Sequence, residues 1–258
     1  MHLYKNQQNV GYGLLASVFL LLSGMSSSNA AAIVTPITDN SVPWVFSVSG
    51  GIGWSEAGKR ESFNLTPSIP KSYDAKKTNT TLGMFELFAG LQKDMTPTLQ
   101  GQLGLSLGFV NNASFAGDIW DDGLPQFSNH NYQYKVKQTH VSLKGKLIFD
   151  KGWFVLPWVG ARVGIGFNTA HKYSNQPKLN QALPNENFTS HTCQSFTYAL
   201  SAGMQKQLNN NWQVGLAYEF ADLGKSQLGR APSQTLNNGI TQNHLYTNNI
   251  LLNVTYMA

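Results

Sequence analysis

The chain has 258 residues, 12% of them charged and 41% hydrophobic. Soluble domains carry about a quarter charged residues, so the apolar positions here are diluted by Gly, Ser, Thr, Asn and Gln instead. Setting aside Lys5 leaves 17 of the 18 cations against 13 carboxylates with no basic stripe, which excludes nucleic-acid binding, and the single Cys193 excludes a disulfide framework or a cysteine metal cluster.

Residues 1–30 read as a cleaved signal peptide: Lys5, an apolar run Leu14–Leu22, then Ser28-Asn29-Ala30, with cleavage near Ala30–Ala32. The run is too short to span a bilayer, which takes ~20 apolar residues. No cysteine follows for a lipoprotein anchor. Residues 31–42 are expected as a short periplasmic segment, and 43–258 as the folded domain.

From Trp44 onward the chain alternates with period two. Trp44–Trp54 opposes Trp44, Phe46, Val48, Gly50, Ile52 and Trp54 to a face of mostly small or polar residues. The pattern recurs in Leu82–Lys93, Leu99–Val110, Thr139–Phe149, Val155–Phe167, Phe196–Gln207, Trp212–Phe220 and Tyr246–Tyr256. Such alternation predicts half-buried strands. They are longer than the ~6 residues of a sandwich strand. Ten steps of ~3.3 Å tilted ~40° rise about 25 Å, the apolar band of an outer-membrane barrel.

The links between strands alternate. Asp94–Pro97, Asp150–Gly152 and Asn209–Asn211 are short; Ala57–Thr80, Asn111–Asn131, Asn168–Cys193 and Ala221–Asn243 are long. The expected fold is an all-β, eight-stranded antiparallel up-and-down transmembrane β-barrel with four long extracellular loops and three short periplasmic turns. Aromatic rings settle where lipid tails meet headgroups. Trp44, Phe149, Phe154, Trp212 and Tyr256 would ring the periplasmic side, and Trp54, Phe109, Phe167, Phe196 and Tyr246 the outer side.

The segment LSAGMQKQLNNNWQVGLAYEFADLG (Leu200–Gly224) resembles the penultimate hairpin of opacity-type, OmpA-like eight-stranded outer-membrane barrels, and LPWVGARVGIGF (Leu156–Phe167) is similar to their fifth strand. The resemblance implies a Gram-negative outer-membrane protein with variable surface loops and no catalytic residues to carry over. Such chains usually finish on a phenylalanine read by the barrel-assembly machinery; here Tyr256 is the nearest substitute. No peptidoglycan-binding domain follows, so no cell-wall tether is expected.

Inside the barrel the pattern places Glu86, Lys144, Lys146, Arg162 and Glu219. Lone buried charges are costly, so these are expected to pair as a structural plug; pair exchange opening an ion path is the alternative. Inward Gly104, Gly108, Gly164 and Gly166 are expected to make room for Trp158 and Arg162. Hydrolysis would need a serine beside a histidine. His140 is the only strand-borne histidine in this reading, with His130, His171, His191 and His244 in or beside serine-rich loops. Asp118, Asp121 and Asp122 lack the spacing and closing Glu of a calcium loop and read as solvated carboxylates. The first loop carries Lys59, Arg60, Lys71, Lys76 and Lys77 against Glu61 and Asp74, making it the favoured surface contact.

The function expected is therefore envelope structure plus an adhesin-like surface interaction, without catalysis or cofactor. A small-solute channel or a lipid A-modifying enzyme are the alternatives. Expected partners are outer-membrane lipid and lipopolysaccharide, the assembly machinery and a host glycan or protein.

Overall fold

The structure is a computed structural model that describes residues 42–55, 58–76, 80–180, 182 and 185–258. The signal peptide and nearly all of the periplasmic segment expected from sequence lie outside the described residues, as does Lys77. In chain order the strands are β1 (Trp44–Ser55), β2 (Glu61–Thr66), β3 (Ile69–Ala75), β4 (Thr80–Thr96), β5 (Leu99–Asp121), β6 (Ser128–Phe149), β7 (Leu156–Pro177), β8 (His191–Gln207), β9 (Trp212–Asp222), β10 (Ser226–Gln227), β11 (Thr241–Gln242) and β12 (Tyr246–Met257).

Eight of these close into a ring, in the order β5-β4-β1-β12-β9-β8-β7-β6 and back to β5, every neighbour antiparallel. Closure leaves no sheet edge, as a membrane demands of backbone polar groups. No helix of the described residues is long and apolar enough to cross a membrane. The turns at one end are tight. In the turn between β6 and β7, Gly152 takes φ 73° and donates its N–H to Asp150 Oδ1 at 3.0 Å.

Through the membrane band the large apolar side chains face outward. Leu103, Leu105, Leu107, Val141, Leu143, Val163, Ile165 and Leu252 are all exposed, whereas Gln102, Ser106, His140, Ser142, Arg162 and Glu219 are buried. The glycines beside Trp158 are Gly160 and Gly203, where an added Cβ would come within 3.4 and 2.8 Å of the indole. This corrects the expected role of the other four. Gly108 instead makes room for the His140 ring, Gly104 packs on Gly90, and Gly164 and Gly166 face Ser142 and Gln138.

Two of the four loops expected from sequence are largely strand. β5 and β6 run through Asn111–Asn131, leaving 122–127 as the connection, and β7 and β8 shorten the third loop to 178–190. The first loop carries the β2–β3 hairpin, with β3 paired to the outer end of β5, and the last carries β10–β11. The extensions escape a search for lipid-facing alternation because their polarity is reversed. Beyond the lipid the apolar residues face inward: Phe115, Ile119, Tyr132, Tyr134, Val136 and Tyr173 form one buried cluster with Tyr73, Phe188 and Leu223. On β5 a register shift between Val110 and Ala113 keeps the inward face inward. On β7 Lys172, at φ 54°, stands between inward Ala170 and Tyr173.

Candidate functional site

Three places gather polar side chains: the lumen, the outer rim and the tip. In the lumen, Arg162 on β7 donates to Glu219 on β9 through Nη2 to Oε1 at 3.1 Å and Nε to Oε2 at 3.3 Å. Its Nε also lies 3.7 Å from Glu86 Oε2, and Glu86 accepts from Lys144. The structure thus joins Glu86, Lys144, Arg162 and Glu219 across β4, β6, β7 and β9. Lys146 departs from the expected plug. It bonds to Gln205 and lies 4.3 Å from the centre of the Trp158 ring, with no carboxylate partner among the described residues. An ammonium is offset here by an amide oxygen and the electron-rich ring face. Cavities beside this network measure about 10 and 30 Å³, room for a water or two.

The aromatic residues fall at the two ends of the lipid-facing surface. Trp44, Phe154, Trp212 and Tyr256 stand near the turns, with the Trp212 and Tyr256 rings tilted against each other at 5.0 Å, and Phe149 is half-buried. Trp54, Phe109, Phe167, Phe196 and Tyr246 stand at the opposite end, where Phe109 and Phe167 both neighbour Thr139 in register.

His140 and His244 stand where the sequence placed them, but more of the histidines are strand-borne than expected. His130, His171 and His191 are on extended strands, and Cys193 lies on β8 rather than in a loop. His140 is buried with Nδ1 3.2 Å from Gln138 Oε1. On the rim His244 Nδ1 lies 2.7 Å from Asp222 Oδ2, while Asp222 Oδ1 accepts from the Gly224 N–H at 2.9 Å. That pair orients an exposed imidazole; the sequence singled out His244 but not its partner, which is 22 residues away. Neither residue lines the tip cleft.

The first-loop cations do not form a free basic surface. Lys71 is only 9% exposed and donates to Asp121 Oδ1 at 2.6 Å and to Asn185 Oδ1. Arg60 bonds Asp74 at 2.6 Å and covers the Trp120 ring at 4.2 Å. Lys76 pairs with Asp118 at 2.8 Å, as does Lys178 at 3.1 Å. Lys59 is exposed. Asp118 and Asp121 are therefore bridging carboxylates rather than solvated ones. Burial alone would raise both, yet the lysines bonded to each hold them below the usual carboxylate range.

The Lys71–Asp121 bridge lines a cleft of about 540 Å³ at the tip, reached by all four extracellular connections. Its floor is aromatic: Phe188 packs edge-on to Tyr173 at 4.8 Å and against Tyr73 at 5.5 Å. Burial above all raises both phenols, so they stay neutral hydroxyls. The rim carries Phe127, Asp122, Asn185 and Glu186. Glu186 accepts from the Ser233 N–H and hydroxyl at 2.7 Å each, which lowers its pKa. Asn185 Nδ2 is buried without a hydrogen-bond partner among the described residues. Loops one and four are tied by the Thr235 and Leu236 N–H groups on the Leu65 carbonyl, each at 3.0 Å.

A closed ring of antiparallel strands with apolar outward faces has its counterpart in sequence. The profile of the outer membrane protein β-barrel domain matches residues 17–257. The chain belongs to this family. No curated protein sequence matches it. Among solved structures it is similar to the Neisserial surface protein A at 11% identity, with TM-score 0.41 over 82% of this chain and 96% of that one. It is also similar to the outer membrane protease OmpT from Escherichia coli, at 10% identity, TM-score 0.44, over 87% and 99%. A third is the attachment invasion locus protein of Yersinia pestis, at 15% identity, TM-score 0.33, over 83% and 98%. Membership in the family suggests residence in the outer membrane.

Proposed function

We propose that the protein is a non-catalytic outer-membrane barrel whose outer end serves as a surface-interaction site, with the tip cleft as the contact. The observation that carries this reading is the braced aromatic cleft: all four connections are spent on building it. Binding residues tend to sit on loops that a rigid scaffold positions. The cleft has an apolar floor, neutral hydroxyls and amide and carboxylate edges, while its one lysine is already bonded. Such a surface fits a neutral ligand with one apolar face and hydrogen-bonding edges, which describes a sugar unit of a host glycan. The bridged lumen and the apolar interior beyond it favour this reading over a small-solute channel.

The test uses bacteria displaying the intact chain or the Phe127→Ala/Glu186→Gln variant, scored on a glycan array and on host cells. Shifted migration in unheated detergent gels controls for folding. Loss of binding by the variant supports the cleft. Equal binding by both forms contradicts it, and equal, salt-sensitive loss on removing Lys59 would return the contact to the first loop's charge.

A further inference from the structure

Between the outer aromatic ring and the tip, β6 and β7 present cations that the tip's bridges do not use. Thr139 lies in register between Phe109 and Phe167, so it marks the outer limit of the lipid-facing surface. Lys137 and Lys135 are the next two exposed positions on that face of β6. At ~3.3 Å per residue and ~40° tilt they stand roughly 5 and 10 Å beyond it. The headgroup layer of one leaflet is about 5–8 Å deep, and a lysine stem can reach several ångströms down to it. On β7, His171 pairs in register with Lys135, and exposed Lys172 follows.

Every other described lysine or arginine near this end that forms an ion pair does so with Asp74, Asp118 or Asp121. Among the described residues no carboxylate lies within ion-pair distance of Lys135, Lys137 or Lys172. Like charges left together repel, and the cluster records it. Burial, then the ammoniums of Lys137, Lys172 and Lys135, hold the His171 imidazole below its usual value. His171 Nε2 is 2.8 Å from Asn112 Oδ1, so the ring is oriented. The lysines of this row fall on β6 and β7: β1, β9 and β12 contain no lysine or arginine, and their lipid-facing rows end in Trp54, Phe220 and Tyr246, with exposed Lys225 standing apart on the connection after β9.

We propose that Lys135, Lys137, His171 and Lys172 form a seat for the phosphate groups of a phosphorylated glycolipid in the outer leaflet. Three ammoniums converge on a headgroup dianion at the depth where it lies, and the anion relieves their mutual repulsion. The seat is independent of the tip cleft and would fix the rotation of the barrel in the leaflet.

The test reconstitutes the full chain in phosphatidylcholine nanodiscs doped with bisphosphorylated lipid A or its dephosphorylated form. Bound lipid is counted by native mass spectrometry at low and high salt, and inorganic phosphate is added in a separate arm. The variants are Lys135→Ser/Lys137→Ser/Lys172→Ser and, as a charge-matched control, Lys93→Ser/Lys151→Ser/Lys206→Ser near the turn end. A lysine at a membrane surface contributes about a fivefold gain in partitioning, so the first variant should lose about a hundredfold in retention at low salt. The control should retain lipid A as the parent does. Equal retention by parent and first variant overturns the proposal, as does equal retention of the two lipids by the parent. Displacement of lipid A by millimolar inorganic phosphate would overturn the choice of a lipid as occupant.

Discussion

The 22 residues of β6 cross two solvents in one strand. In the lipid its outward residues are Val141, Leu143 and Leu147 and its inward ones are His140, Ser142, Lys144 and Lys146. Ten residues earlier in the chain, its outward residues are Asn131, Gln133, Lys135 and Lys137 and its inward ones Tyr132, Tyr134 and Val136. Backbone pairing is the same throughout, with β5 on one side and β7 on the other. What reverses is the medium outside. In water the apolar face must turn inward, and the ring becomes a small soluble-type core stacked on a membrane barrel. Two consequences follow for function. The lumen is bridged by ions below and filled by aromatic side chains above, and the tip is stiff enough to hold a shaped cleft.

The comparison breaks most sharply at the lumen. Arg162→Ala leaves Glu219 buried without its guanidinium, and removing one member of a buried pair costs roughly 3–5 kcal/mol. The expected result is a lower urea midpoint for the whole barrel, followed by heat-modifiable migration. Phe115→Ala, by contrast, removes a ring from the outer core, again at roughly 3–5 kcal/mol. Its effect should stay local: new trypsin cleavage beyond the lipid with the membrane band still folded. Leu143→Arg and Lys135→Leu then reverse polarity on the same face of β6. A charge on the lipid face near the midplane costs ~2–4 kcal/mol, whereas Lys135→Leu is expected within about 0.5 kcal/mol. Equal costs would mean that both positions meet the same solvent.

The smallest effect is that of acid on the tip. Asp118 and Asp121 have depressed folded values. The stability they supply is therefore present above the unfolded aspartate value and is lost as pH falls through the depressed ones. Proteolysis of the tip should rise below about pH 4 while the ring in the lipid persists. Asp121→Asn should flatten part of that pH dependence by lowering the stability of the tip at neutral pH toward its acid value.

The membrane half was legible because lipid imposes a single rule, apolar outward, on every strand. Trp44, Leu103 and Leu252 obey it, and the short turns mark its lower limit. The lumen list was legible for the complementary reason, since Glu86, Arg162 and Glu219 fall on the opposite parity. The partner of Lys146 was not, because an amide and an indole can substitute for a carboxylate and neither carries charge in the sequence. The tip was not legible either. Its alternation has the reverse sign, it is interrupted by irregularities near Asn111-Asn112 and His171-Lys172, and its bridges join residues as distant as Lys71 and Asn185. Reading Lys71 as a surface cation followed from counting charges within one loop, when the neutralising Asp121 lies on another.

The most direct measurement is amide hydrogen exchange of the chain in lipid nanodiscs, resolved at Ala113–Ile119 and Tyr132–Val136. If a packed core continues the barrel beyond the membrane, these amides should exchange nearly as slowly as those of Val141–Leu147. Exchange at the rate of an unstructured peptide would mean that the outer half is loose loop, and the cleft would lose its floor.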